Sequence, residues 1–229
     1  QRRALLGDQF LGNFHSRGPF LPADWSGKGN APYHLPVSVV SPHFAPKIFI
    51  YPDFGETTLV LDVHLYDAQG RQLYSEPGYL ELIGGGLQMY TIDCSPWVKR
   101  FQDVALIDFI VRPTRLDRVP SLLRCSIQYG ENPLDMSMAE VFKSYNADSP
   151  GSSVLRWGMV EQSATRRTFV GIRNIGFDPE ESGDTRVNVR LWHTSNSEFL
   201  ERSLAIPANG SIEPRIDILF PEAESFLGG

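Results

Sequence analysis

Four histidines in the first third of the chain are the side chains best suited to acid–base or metal chemistry. They are His15, His34, His43 and His64. Imidazole is a common metal ligand and titrates near neutral pH. His64 shares a predicted strand face with Asp62, so a histidine from the N-terminal segment could complete a metal or catalytic site there. The chain has no His-Glu-x-x-His motif, and ordinary surface or hydrogen-bonded histidines are the alternative.

Asp108 is a single acid within the apolar stretch 104–111. A buried carboxylate must be paired, hydrogen-bonded or shifted in pKa, and pairing with Arg124 is the simplest expectation. A catalytic acid would need a second group within reach of the same substrate atom, and the sequence nominates none. The Gly-x-Ser-x-Gly and Cys-His-Asn signatures of nucleophilic catalysis are also absent.

Two further sets of side chains are candidates for ligand binding. One is a group of arginines in a short stretch: Arg112, Arg115, Arg118 and Arg124. They could hold a carboxylate or an anionic sugar through bidentate contacts, or they could be solvated at the tip of a hairpin. The other set is Tyr66 and Trp192, whose rings hold matching outward positions in two similar strands and could stack on a sugar.

Composition narrows the class of protein. The net charge of −6 and the isoelectric point near 5.4 argue against a nucleic-acid surface, which needs clustered basic residues. No apolar run reaches the roughly 20 residues that cross a bilayer, so we expect no membrane span.

The two cysteines, Cys94 and Cys125, are too few for a disulfide scaffold or a thiolate zinc site. The sequence leaves open whether they form one disulfide or are two buried free thiols. We expect no cofactor.

The chain contains an internal sequence repeat. Residues 47–97 and 168–223 carry the same order of signals: an apolar strand, a turn, an alternating strand, a second turn and an Ile-Asp pair. The inward positions of the alternating strands correspond as follows: Leu61, Val63 and Leu65 in the first copy, Val187, Val189 and Leu191 in the second. The pairs Ile92-Asp93 and Ile216-Asp217 also correspond. Such a repeat indicates tandem copies of one structural unit.

The pattern along the chain predicts four regions. Residues 1–35, rich in Gly, Pro and aromatic residues, should form an irregular arm packed on the first module. Residues 36–130 should be a β-sandwich module, with a central strand at 104–111 and a hairpin over 104–129. Residues 131–153 should be a helical linker, because Leu134, Met138, Val141, Phe142 and Tyr145 form one helical stripe. Residues 154–229 should be the second β-sandwich module.

The fold class we predict is therefore all-β, with two tandem antiparallel sandwiches. The alternating strand, the Asp-Ala-x-Gly turn at 67–70 and the later small-residue turn before an Ile-Asp pair resemble the immunoglobulin-like modules of bacterial surface and secreted proteins. The second copy departs from this pattern, since Thr194-Ser195-Asn196-Ser197 stands where the glycine turn belongs. The resemblance implies a protein that binds, spaces or assembles, without shared catalytic residues.

The function we predict is a non-enzymatic binding or assembly module of a bacterial surface or exported complex. The second copy ends soon after its Ile-Asp pair, so a sheet edge of module 2 is expected to accept a protein partner or a second copy. The alternatives for this edge are a hairpin over 154–174 that fills it from within and the trimming of a longer natural chain. The alternatives are an enzyme or metal-binding protein, with its site between the modules and the arm, and a carbohydrate-binding module. The start at Gln1 indicates a processed or trimmed product, from which a signal peptide was removed or in which none existed. The sequence leaves the localisation unknown, with export or the cell surface slightly favoured.

Overall fold

The computed structural model describes residues 33–39, 45–52, 57–86, 88–114, 123–129, 160, 168–174, 183–193, 195–212 and 215–228, and the backbone of 137–144. Most of these residues lie in antiparallel β-strands, as predicted. His15, His43, Arg115 and Arg118 lie outside the described residues, as does the predicted arm up to residue 32. In the described part of the chain, no helix has the length and apolar character needed to cross a membrane.

Eight strands and a short helix make up the first part of the molecule. The strands are β1 (Tyr33–Ser38), β2 (Pro46–Ile50), β3 (Thr58–Asp67), β4 (Gln72–Ile83), β5 (Tyr90–Asp93), β6 (Val104–Pro113), β7 (Leu123–Tyr129) and β8 (Ser137–Ser144). The helix α1 (Ser95–Arg100) follows β5 and buries Trp97 and Val98. Asp93 accepts hydrogen bonds from the backbone N–H and hydroxyl of Ser95, the first residue of α1.

These strands form one sheet in the order β4-β3-β6-β1-β8-β7-β2-β5. Strands β1 and β8 pair at only two positions, so the two halves of the sheet separate there. Side chains from both halves, among them Ile48, Leu61, Phe109 and Ile127, pack in a single apolar core. The arrangement fits a β-sandwich.

Strand β6 lies at the centre of its half of the sheet, as the apolar stretch 104–111 predicts. It pairs with β3 on one side and β1 on the other. The predicted hairpin over 104–129 is wrong, because β7 pairs with β2 and β8 instead of β6. Alternation identifies strands, but their partners depend on which half of the sandwich each strand enters.

The predicted helix in the linker is also wrong over the residues that the structure describes there. Residues Ser137–Ser144 form β8, which pairs with β7 at six positions. A short apolar run can match both helical and strand periods, and the backbone hydrogen bonds offered by β7 decide the outcome. The rest of 131–153 lies outside the described residues.

The second part of the molecule is smaller. It contains β9 (Ile172–Arg173), β10 (Thr185–Trp192), β11 (Phe199–Ile206), β12 (Ser211–Ile212), α2 (Ile216–Leu219) and α3 (Ala223–Leu227). Strands β10 and β11 form a hairpin, and β9 pairs with β12. The first copy has the same pairings, since β3 and β4 form a hairpin and β2 pairs with β5. The repeated sequence thus repeats its strand pairing.

The two copies bury their equivalent residues to different extents. Leu61, Val63 and Leu65 are fully buried, as predicted. In the second copy, Leu191 packs with Ile216 and Phe220 in a small core, while Val187 and Val189 are only half-buried. The difference arises because, among the described residues, β10 and β11 form a two-stranded sheet that is covered by short helices.

Two turns bring the copies into contact. Gly70 ends the predicted turn after β3 with φ +81°. A Cβ on Gly70 would lie 1.8 Å from the carbonyl oxygen of Ala208, in the turn after β11. A Cβ on Gly210 would likewise lie 2.8 Å from the carbonyl oxygen of Ala68. Any larger residue would push these turns apart, so both glycines are needed for the close approach.

The apolar core of the first part of the molecule provides a direct test of the strand register. Replacing Val63 by Asp places an unpaired carboxylate among fully buried side chains, and we expect the free energy of unfolding to fall by several kcal/mol in chemical denaturation. Thr91→Asp, at an exposed position on β5, is the control and should unfold like the parent. Equal stability of the Val63→Asp variant and the parent would show that the strand register is wrong.

Candidate functional site

On the face opposite the core, the half-sheet formed by β4, β3, β6 and β1 carries polar side chains among apolar ones such as Leu106 and Ile110. Alternation along β1, β3 and β6 places the following side chains on that face: His34, Ser38, Asp62, His64, Tyr66, Asp108 and Arg112. Several of them are buried, with exposed fractions of 3% for His34, 5% for Asp62 and 2% for Asp108. We call this set the polar row. Buried ionisable groups are rare outside structural pairs and functional sites.

The centre of the polar row is a hydrogen bond between His34 and Asp108. His34 Nδ1 lies 2.8 Å from Asp108 Oδ2, and both side chains are almost fully enclosed. The two residues are 74 positions apart in the chain. Pairing of β1 with β6 brings them together, because Pro36, two residues after His34, is the register partner of Asp108. The expected pairing of Asp108 with Arg124 is wrong, since Arg124 lies on β7, in the other half of the sheet.

His64 approaches Asp108 from the opposite side. It is the register partner of Asp108 on β3, so two strands flank the carboxylate with one histidine each. Within the described part of the chain, neither Asp108 Oδ1 nor His64 Nδ1 makes a hydrogen bond, although both atoms are buried. The described residues hold no group of three or more His, Cys, Asp or Glu side chains arranged for a metal ion.

Asp62 does not form a common site with His64, although the two side chains share a strand face. Its carboxylate pairs with Arg112 Nη2 at 2.5 Å and accepts a hydrogen bond from the backbone N–H of Gly78 at 2.7 Å. Arg112 is half-exposed, so this pair closes the end of the polar row toward solvent. The two described arginines of the predicted ligand-binding group therefore lie in different places. Arg112 pairs with Asp62, whereas the Arg124 guanidinium lies 5.9 Å from the ring centroid of Tyr51.

Tyr66 extends the polar row along β3. Its ring stacks beside that of His64, with 6.5 Å between centroids. Burial, with a smaller contribution from the negative charge of Asp108, raises the pKa of Tyr66 to about 12. The environment of the phenol thus disfavours its ionised form. Tyr66 is half-buried and is not an exposed platform for a sugar ring.

An exposed aromatic surface lies on the hairpin of the second copy. Trp192 is 51% exposed and Phe199 is 42% exposed, and their ring centroids are 4.7 Å apart. The Arg190 guanidinium lies over the Phe199 ring at 4.8 Å from its centroid and also pairs with Glu201. We call Arg190, Trp192, Phe199 and Glu201 the aromatic face. Sequence reasoning found Trp192 but missed the other three, although they occupy outward positions of two alternating strands.

An open pocket of about 650 Å³ lies at the Gly84–Gly86 turn between β4 and β5. Its walls include the exposed side chain of Met89 and Tyr90, whose hydroxyl accepts a hydrogen bond from the N–H of Ile83. None of its lining residues is charged. The glycines form a turn, in which Gly85 has φ +76°, and the pocket lacks the basic groups expected around a phosphate.

Cys94 and Cys125 are both buried and are not joined by a disulfide. Burial, together with the charge of Asp93, raises the pKa of Cys94 well above its usual value. A thiol with a raised pKa is a poor nucleophile at neutral pH, because little of it is ionised.

Comparison with known proteins finds no match: no family model, no curated protein and no solved structure is significantly similar to this chain.

The buried hydrogen bond in the polar row predicts a large effect on stability. Replacing Asp108 by Ala removes the acceptor of His34 and should lower the free energy of unfolding by about 3 to 5 kcal/mol. Asp108→Asn keeps an acceptor of the same shape and should cost clearly less. Asp103→Ala, on the exposed turn before β6, is the control. Similar denaturation curves for Asp108→Ala and Asp103→Ala would show that the pair contributes little.

Tyr66 predicts an alkaline transition. In the unfolded chain tyrosine ionises near pH 10, whereas in the folded protein Tyr66 ionises at about 12. Between these pH values the unfolded state releases the proton first, so stability should decrease as the pH rises from 10 to 12. In Tyr66→Phe that decrease should be smaller. Urea denaturation of both proteins at several pH values tests this, and parallel pH profiles would contradict it.

Proposed function

We propose that this protein is a non-enzymatic binding or assembly module of a bacterial surface or exported complex, built from two tandem immunoglobulin-like sandwiches. The observation that carries the proposal is the aromatic face. Trp192 and Phe199 expose about half of their surface while they contact each other, and the Phe199 ring also contacts the Arg190 guanidinium. A folded protein gains by burying such rings, and their exposure on a regular strand surface favours a role in recognition.

The composition of the aromatic face supports a protein partner. Tryptophan, phenylalanine and arginine are enriched in the centres of protein interfaces, where a few such residues dominate the binding energy. The ring contact and the ion pair between Arg190 and Glu201 hold the side chains before a partner arrives. A surface that is already ordered loses less conformational entropy on binding.

The polar row supports the non-enzymatic part of the proposal, because its acidic groups already have structural partners. Its acidic groups already serve the fold, since Asp62 holds Arg112 and the N–H of Gly78, and Asp108 holds His34. The pocket at Gly84–Gly86 lacks titratable acids and bases among its lining residues except Tyr90. General acid–base catalysis needs such groups beside the substrate.

An enzyme or metal-binding protein is the second candidate, and one observation favours it. His34 and His64 approach Asp108 from neighbouring strands, and Asp108 Oδ1 and His64 Nδ1 are buried and make no hydrogen bond in the described part of the chain. Elemental analysis of the purified protein separates the two candidates. Stoichiometric zinc, copper or iron that is lost in a His34→Ala, His64→Ala double variant would favour the second candidate.

The binding proposal is tested by removing the aromatic face. The double variant Trp192→Ala, Phe199→Ala should fold like the parent, because both side chains are exposed, and should lose capture of a specific protein from bacterial envelope extracts. Ile218→Ala, which truncates an apolar side chain that is 65% exposed elsewhere on the second copy, is the matched control and should retain it.

Two outcomes would contradict this assignment. If the parent, the double variant and the control capture the same proteins, the aromatic face is not the binding surface. If the parent instead binds defined glycans on an array and the double variant does not, the protein is a carbohydrate-binding module.

A further inference from the structure

We infer that the partner of β10 is β10 of a second copy of this chain, and that the two hairpins join edge to edge in a symmetric four-stranded sheet. The inference rests on the proposed assembly function and specifies its partner. A two-fold axis would pass between the two paired β10 strands, so that both copies use the same surface.

The first argument is the exposed edge of the hairpin. Among the described residues, β10 pairs with β11 alone, over eight positions without a register shift. Its other edge presents a regular row of backbone N–H and C=O groups that can pair with another strand. The edges of the large sheet are different: β4 contains Pro77 and pairs with β3 through two register shifts, and β5 has only four residues. Those features hinder strand addition, and β10 has neither of them.

The second argument is the side-chain register. Residues that face each other across an antiparallel pair point to the same side of the sheet, so a two-fold axis perpendicular to the sheet must lie midway between the two copies of one β10 residue. We name each register by that residue. An axis at Asn188 places Arg186 opposite Arg190 of the other copy, and an axis at Arg190 places that arginine opposite itself. Both registers oppose like charges, which is destabilising.

An axis at Val189 avoids this conflict. It places Arg186 opposite Trp192 of the other copy, where a guanidinium can lie on an indole face. It also places Asn188 opposite Arg190, a polar contact without repulsion. On the inward side, Val187 meets Leu191 and Val189 meets itself, so the half-buried valines gain apolar neighbours.

The edge of β11 offers no comparable register. An axis at Glu201 or Arg202 opposes like charges. An axis at Ser203 places Arg202 opposite Leu204 and Glu201 opposite Ala205, which pairs charges with apolar groups. Charge complementarity therefore selects β10 over β11. In the β10 pair, the aromatic faces of both copies lie on the same side of the joined sheet, which links self-assembly to the proposed binding surface.

Cysteine cross-linking tests the register. With the axis at Val189, the Cα atoms of residue 189 in the two copies would be about 4.5 to 5.5 Å apart, within the range of a disulfide. Val189→Cys should form a disulfide-linked dimer under mild oxidation. Val187→Cys should not, because the two copies of that residue would be roughly 14 Å apart. Cys94 and Cys125 are buried and should not compete.

Exposed charge variants test the same pair without touching the core. Asn188 faces solvent and would lie opposite Arg190 of the other copy. Asn188→Asp should tighten the dimer and Asn188→Lys should weaken it, each by about three- to tenfold in the dissociation constant from sedimentation equilibrium. Circular dichroism should be unchanged in both variants. Equal effects of Asp and Lys, or equal cross-linking at 187 and 189, would overturn the register.

A parent protein that stays monomeric up to millimolar concentration would overturn the self-pairing itself. That result leaves the proposed function testable on its own, since capture of a different protein through Trp192 and Phe199 does not require the β10 edge. Conversely, a dimer with the predicted register together with unchanged capture by the Trp192→Ala, Phe199→Ala variant would support the β10 pair and reject the aromatic face as a binding surface.

Discussion

The buried hydrogen bond between His34 and Asp108 is the interaction on which the first part of the molecule most depends. The half-sheet of β4, β3, β6 and β1 packs one face on the apolar core and keeps much of its other face away from water as well. A carboxylate in such a position is destabilising unless a partner compensates for its lost hydration. His34 supplies that partner from the neighbouring strand, and Arg112 does the same for Asp62 at the edge of the row. The polar residues thereby also favour one register of β1, β3 and β6 over its alternatives.

The contact between the two copies uses backbone groups as much as side chains. The Arg173 guanidinium donates to the carbonyl of Pro36, beyond the point where β8 separates from β1. Gly171 approaches Ser38, and Gly70 and Gly210 allow two turns to touch. These contacts involve small residues and fixed backbone positions, so the second copy is held close to the polar face of the first. The hydrogen bond from Arg173 also satisfies the carbonyl oxygen of Pro36, at a point where β8 no longer pairs with β1.

The same repeated unit has two environments, and this difference underlies the proposed function. In the first copy the alternating strand lies inside a large sheet, and its outward aromatic residue, Tyr66, is half-buried with a raised pKa. In the second copy the equivalent strand is β10, and its outward aromatic residue, Trp192, is exposed beside Phe199. Similar sequence patterns therefore produce a half-buried aromatic residue in one copy and an exposed one in the other. The number of strands around each copy decides whether that aromatic residue is half-buried or exposed.

The sequence by itself determined the strand content, the repeat, the central position of residues 104–111 and the burial of Leu61, Val63 and Leu65. Alternation and turn residues are local signals, and a strand with one apolar face reveals itself without knowledge of its neighbours. Only the tertiary structure decided that His34 pairs with Asp108, that residues 137–144 form a strand, and that β6 and β7 lie in different halves of the sheet. Each of these depends on contacts between residues far apart in the chain. The free energy of such contacts comes from burial and pairing across strands, which local periodicity does not encode.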